Sequence, residues 1–257
     1  MLAALAAEHE VLPAQAPGSS APDGSTPDAL TRIGPETARV WGFDWPRPQA
    51  PRASAVLMLF GALDSVPARS RQPGVPAELD VLLTQRAATL SQHAGQVAFP
   101  GGRVDEGDDD VVATALREAR EETGLDPAGV EVLGVLPPVP VVVSGHIVHP
   151  VLAWWRDPST VAVVDRAEAT DVFRVPVADL VDPSRRVAVA RPGGRAGTTP
   201  GFRVQGRLVW GFTAALLSRV LELAGWARPW DAARVVDPET GALHSCTGPS
   251  APGGVHS

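Results

Sequence analysis

The sequence is poor in several features that would assign it to a class at once. Cys246 is its only cysteine, so no disulfide forms within the chain and no multi-cysteine zinc site is available. No run approaches the roughly 18 apolar residues of a membrane-spanning helix. The opening MLAALAAEHEVL lacks a cationic stretch and soon meets Glu8 and Glu10, so a signal peptide is not expected and the cytoplasm is the expected location. Positive charge is also scarce: 22 Lys and Arg stand against 29 Asp and Glu, a net charge of -7. Non-specific nucleic-acid binding needs a basic surface that displaces counterions, so neither a nucleic acid nor a membrane is the expected partner. An acidic protein still binds an anionic small molecule when a divalent cation stands between the two.

Glycine and proline, by contrast, are abundant, at 25 and 26 residues, and many crowd near the ends. Residues 1–30 include the aperiodic PAQAPGSSAPDGSTPDA and are expected to be a disordered lead-in; residues 232–257, ending CTGPSAPGGVHS, are expected to be a disordered tail. Between them, residues 31–231 predict one α/β domain, and nothing repeats. Dense Val, Leu and Met content predicts strands over Ala53–Phe60 and Leu79–Thr84. Further strands are expected over Val130–Leu136, Ile147–Trp155, Asp171–Val175, Arg186–Ala190 and Arg207–Trp210. Helices are expected over Asp110–Thr123 and Thr213–Ala224, the second ending at Gly225, with a helical turn at Val177–Leu180.

Residues 99–125, FPGGRVDEGDDDVVATALREAREETGL, hold the chemistry. At about 100° per residue, Glu118, Glu121 and Glu122 share one face of the helix, beside an apolar stripe of Val112, Ala115, Leu116 and Ala119. Asp108, Asp109 or Asp110 can cap its start, and Gly124 supplies the left-handed residue past its end. Taken alone, Glu-x-x-Glu-Glu reads first as a solvated acidic face, because like charges one turn apart destabilise by only about 0.2–0.5 kcal/mol. Phe99-Pro100-Gly101-Gly102 alters that balance. Paired glycines let backbone approach a ligand closely, and hard oxygen donors suit Mg²⁺ or Mn²⁺ with substrate phosphates completing the shell. Arg117 is placed to hold one carboxylate by a charge-assisted bond.

Arg117-Glu118-Ala119-Arg120-Glu121-Glu122-Thr123-Gly124-Leu125 resembles the second half of the Nudix box, R-E-U-x-E-E-x-G-U with U aliphatic. The front half is one residue longer than usual, and Asp108 or Asp109 stands where the box has Glu. Upstream, LLTQRAATLSQHAGQVAFPGG resembles the signature of the coenzyme A pyrophosphatase branch, which shares the longer front half. Leu82, Leu83, Thr84, Arg86, Gly95 and Phe99–Gly102 match it, while Ser91 replaces a commonly basic residue. The resemblance covers about residues 50–225.

That resemblance implies a Nudix α/β/α sandwich around a mixed β-sheet, and hydrolysis of coenzyme A or its thioesters to 3′,5′-ADP and 4′-phosphopantetheine. Glu118, Glu121 and Glu122, with the Gly102 carbonyl, are the expected ligands of Mg²⁺ or Mn²⁺; Arg117 supports them; Arg86, Gly101 and Gly102 are expected to meet the substrate. Glu168, just before ATDVFRVPVADL, is the loop candidate for the general base, beside the trio itself. A homodimer is compatible with all of this. Two rivals remain: the same chemistry on ADP-ribose, a dinucleoside polyphosphate or an oxidised nucleotide, and a non-cleaving nucleotide sensor, which typically loses part of the Glu trio. Elsewhere the signals are structural. His146 and His149, three apart in a strand, point to opposite faces and do not predict a shared metal. Pro192–Gly197 lacks the Lys-Ser/Thr ending of a phosphate loop and predicts a hairpin turn. Trp210 and Met58 read as core.

Overall fold

The computed structural model describes residues 41, 46, 48–63, 67–75, 78–88, 94–142, 144–193 and 197–245. The expected lead-in 1–30, together with Ser91, His93 and Cys246, lies outside these residues.

Alternating burial builds the central sheet. In β1 (Arg52–Ala62), Ala55, Leu57 and Leu59 face one way and Met58 and Phe60 the other, all fully buried, so the strand is a two-faced core element. It runs parallel to β7 (His146–Trp155) along its length, Arg52 opposite His146 and Gly61 opposite Trp155. Its other side pairs with β2 (Leu79–Arg86) only at Phe60–Ala62, after which the two strands diverge. The segment after residue 96 fills that fork. There β3 (Val97–Ala98) pairs with β2, and β4 (Gly101–Arg103) pairs with β1. On the outer side of β2 lies β8 (Ala169–Pro176); beyond β7 lie β5 (Val130–Val135) and β6 (Val139–Val141). Parallel and antiparallel pairs coexist, so the sheet is mixed as expected.

Helix α1 (Val111–Thr123) lays Ala115 and Ala119 against Ala55, Leu57 and Val151, where short side chains let helix and sheet approach closely. The opposite face packs on α2 (Val177–Leu180) and α3 (Gly211–Leu223), whose Leu216, Leu217, Val220 and Leu221 join Met58, Phe60 and Leu83 in the larger core. The α/β/α layering is present. It carries an addition that the periodicity did not predict: a second sheet in the order β11–β10–β9–β12–β13. Its strands are β9 (Arg186–Ala190), β10 (Thr198–Val204), β11 (Arg207–Val209), β12 (Arg234–Val236) and β13 (Leu243–Ser245). Ala190 pairs with Thr198, so the Pro192–Gly197 run joins two antiparallel strands. β12 and β13 correct the expected tail: within 232–257, the chain is structured as far as Ser245, and Val236 is 1% exposed. Among the described residues, no helix is long and apolar enough to cross a membrane.

Candidate active site

The acidic helix is held at both ends by local chemistry. Asp110 accepts a hydrogen bond from the Ala113 N–H at 2.8 Å, which selects it as the cap from the three consecutive aspartates. Gly124, at φ 70°, donates to the Arg120 carbonyl at 2.8 Å. Asp108 does a different job. Its two oxygens accept from Arg117 Nε at 2.8 Å and Nη2 at 2.9 Å, and one also accepts from Thr114 Oγ1 at 2.8 Å and the Asp105 N–H at 2.9 Å. The Arg117 guanidinium holds its carboxyl down at about 2 in spite of burial. Arg117 also donates to Glu118 at 3.0 Å, to Glu121 at 3.1 Å and to the Arg103 carbonyl at 3.0 Å. One arginine therefore ties the loop, the end of β4 and two carboxylates together.

The paired glycines are required by close approach. A Cβ at Gly102 would land on the Glu118 carboxyl group, and one at Gly101 would strike the Ala55 carbonyl and the Val56 backbone. Glu122, 9% exposed, accepts from the Gly101 N–H at 3.3 Å. Burial pushes its carboxyl up to about 8; the Gly101 N–H and the Arg86 charge oppose that rise, while Glu118 and Glu168 add to it. Burial also raises Glu118, against the pull of Arg117. Glu121 shares Arg117 but its side chain is 58% exposed.

The pairing of β2 with β8 sets Arg86 opposite Ala169, next to Glu168. Arg86 ends β2 with its Nε buried and unpartnered among the described residues, and its charge acts on Glu122. Glu168 is exposed, and its carbonyl accepts from the Ala87 N–H at 2.9 Å, which seats it next to Arg86. The sequence candidates thus gather around β4: Glu118 and Glu122 over the glycines, Arg86 and Glu168 beside them, and Arg117 behind with Glu121 on its outer side.

A family model described as the NUDIX domain matches residues 71–193. A Nudix hydrolase NudL of Cronobacter sakazakii, described as uncharacterized, is 39% identical over 173 residues, covering 66% of this chain and 85% of that protein. Its namesake in Escherichia coli O7:K1 is 41% identical over 151 residues, 58% of this chain and 74% of that one. The chain belongs to the Nudix hydrolase family. Among solved structures it is similar to the Nudix hydrolase RenU of M. smegmatis, with a TM-score of 0.46 and 18% identity over 73% of this chain and 98% of that one.

Nudix hydrolases generally use divalent metal ions, and the residues here fit one. Two carboxylates crowd the cleared glycine backbone, and burial holds both above the ordinary range. A hard cation would favour the ionised form of both, beside the Arg117 already paired with Glu118. Among the described residues, no three His, Cys, Asp or Glu side chains converge as a ligand group: Glu118 and Glu122 lie at the glycines, while Glu121, expected with them, sits apart on the exposed side of Arg117. His146 and His149 lie on opposite faces of β7: His149 is 4% exposed, whereas His146 bonds Ser54. Trp210, read as core, is partly buried against the Val187, Val189 and Val236 cluster. It caps α3, is partly exposed, and lines a cavity of about 290 Å³ with Gln85, Gln96, Arg207 and Pro238. The role of Asp108 as the anchor of Arg117 was not legible, because the longer front half of the box hides which aspartate faces the helix.

Proposed function

We propose that this Nudix hydrolase cleaves the diphosphate linkage of coenzyme A, and of its thioesters, to 3′,5′-ADP and 4′-phosphopantetheine. The observation that carries the reading is the strand register that sets Arg86 of the coenzyme A-type signature opposite Ala169, beside Glu168, while Gly101 of the same signature bonds Glu122 of the Nudix box. Glu118 and Glu122, with Glu121 and the Gly102 carbonyl, would hold Mg²⁺ or Mn²⁺. When bound, such a cation neutralises the diphosphate and lowers the pKa of a coordinated water.

The chain's own residues do the rest. Arg86 meets a phosphate oxygen with its guanidinium. Glu168 takes the proton of the attacking water as its oxygen bonds to phosphorus and the bridging P–O bond breaks, the electron pair leaving with the departing phosphate. Arg117 fixes Glu118 and Glu121, so the carboxylates need no reorganisation during the reaction.

The test is mass spectrometry of the products formed from coenzyme A with Mg²⁺ and with a chelator. Both named products are expected with Mg²⁺ alone. Glu122→Gln and Glu168→Gln should each lower kcat by about 10²-fold or more. Intact coenzyme A in a preparation that cleaves ADP-ribose or a dinucleoside polyphosphate would transfer the reading to that substrate. Full turnover by both variants would remove the assigned roles.

A further inference from the structure

Strand register brings together a group of side chains that the reaction does not use. Arg52 pairs with His146 across β1 and β7, and Ser54 pairs with Arg103 across β1 and β4. Arg52 and Ser54 are two apart on one strand, so all four point to the same face, away from α1. Ser54, 6% exposed, is hydrogen-bonded to His146 Nδ1. Burial, then the charges of Arg52 and Arg103, hold His146 below its ordinary value. Arg52 donates to the Ser144 carbonyl at 3.3 Å, and no carboxylate neutralises Arg52 or Arg103 among the described residues. In a chain of net charge -7, two arginines gathered round a hydroxyl and an imidazole, all hydrogen-bonding groups, match one ligand chemistry: a phosphate monoester dianion.

Position says which phosphate. Arg103 directly follows Gly102, which faces Glu118, so their Cα atoms are about 3.8 Å apart. Strand β4 pairs with β1 alone among the described strands, so a substrate lying along its other edge would run from the Glu118 face to the Arg103 face. We propose that Arg52, Arg103, His146 and Ser54 form a subsite for a second, non-reacting phosphate of the substrate, the 3′-phosphate that distinguishes coenzyme A from dephospho-coenzyme A. This rests on the coenzyme A reading. Arg103 grips the monoester, Arg52 neutralises its second charge, and Ser54 sets the orientation of the His146 ring.

The experiment compares kcat/KM for coenzyme A and dephospho-coenzyme A in the wild type, Arg103→Ala and Arg52→Ala/Arg103→Ala. It adds calorimetric binding of 3′,5′-ADP, 5′-AMP and inorganic phosphate to the same folded proteins. The wild type is expected to favour coenzyme A by about tenfold or more, from charged hydrogen bonds to the monoester, and the double variant to bring that ratio close to one. The preference for 3′,5′-ADP over 5′-AMP should collapse with it. A wild type indifferent to the 3′-phosphate, or variants that leave the ratio intact, would overturn the subsite. So would inorganic phosphate binding that depends on Arg103 while the substrate ratio stays at one, since the cluster would then take free phosphate. Failure to cleave either coenzyme is a different result: it removes the substrate reading, and the subsite then survives only if 3′,5′-ADP still outbinds 5′-AMP through Arg103.

Discussion

At the scale of the residue, the site depends on what is missing from Gly102. Any side chain there displaces the Glu118 carboxyl, so Gly102→Ala is expected to lower kcat by about 10²-fold while leaving the fold intact, measured by steady-state kinetics beside circular dichroism. Glu122 offers a reading in pH. Its folded value of about 8 lies above the ordinary 4.5, so the buried carboxyl keeps its proton in the metal-free protein after the unfolded chain has lost its own. The stability this contributes is full below about pH 4.5 and falls as pH rises to 8, by an amount on the order of a few kcal/mol. In a chelator, wild-type melting temperature should therefore drop between pH 5 and pH 8 more steeply than that of Glu122→Gln; parallel slopes would show that the carboxyl is not desolvated. Asp108 behaves oppositely. Depressed to about 2 by Arg117, it stabilises the fold above about 3.8 and stops doing so as pH falls to 2.

At the scale of the element, the segment between β7 and β8 acts as a strap. Ala162 and Val164 donate to the Thr123 and Glu122 carbonyls at the end of α1, at 2.9 and 3.3 Å. Asp165 then folds a single turn: its side chain accepts from the Ala167 N–H at 2.7 Å, and its carbonyl accepts from Glu168 and Ala169 at 3.2 and 3.0 Å. The strap is thus bonded to the backbone of Glu122 at one end and presents Glu168 at the other. Asp165→Ala should lower kcat about tenfold with KM little changed, and Asp165→Asn, whose amide oxygen keeps the turn, should restore most of it. Equal loss in both variants would point to the charge instead of the turn. The helix caps are ordinary by comparison: Asp110→Ala should destabilise by about 1 kcal/mol in thermal unfolding.

At the scale of the whole molecule, the second sheet is fastened to the first by Arg207, which donates to Gln85 at 3.1 Å, pairs with Asp171 and lies 4.2 Å from the Phe173 ring. Sequence periodicity located β9 and β11 but passed over β10, whose Pro200 and Gly201 interrupt the strand pattern, and the three-residue strands β12 and β13 at Arg234–Val236 and Leu243–Ser245. What makes β12 a strand comes from partners far along the chain: Val236 packs on Val187 and Val189, whereas Leu243 of β13 is exposed. Removing residues 232–257 is accordingly expected to destabilise the protein by at least about 1.5–3 kcal/mol, the burial of one such side chain, read by denaturant melts. A truncation without effect would return that segment to the status of a tail.

The sequence alone was enough for α1, its glycine stop, its acidic face and the Nudix box, because a helix places residues three and four apart on one side whatever surrounds it. It was also enough for β1, β2 and β7, whose long apolar runs leave no exposed alternative. Only tertiary structure decided that Asp108 serves Arg117, that Arg86 comes beside Glu168, and that Arg52 and Arg103 share a face of the sheet with His146. Those meetings depend on which strands pair and in what register, and register is settled by the packing of the whole sheet, not by neighbours in the chain.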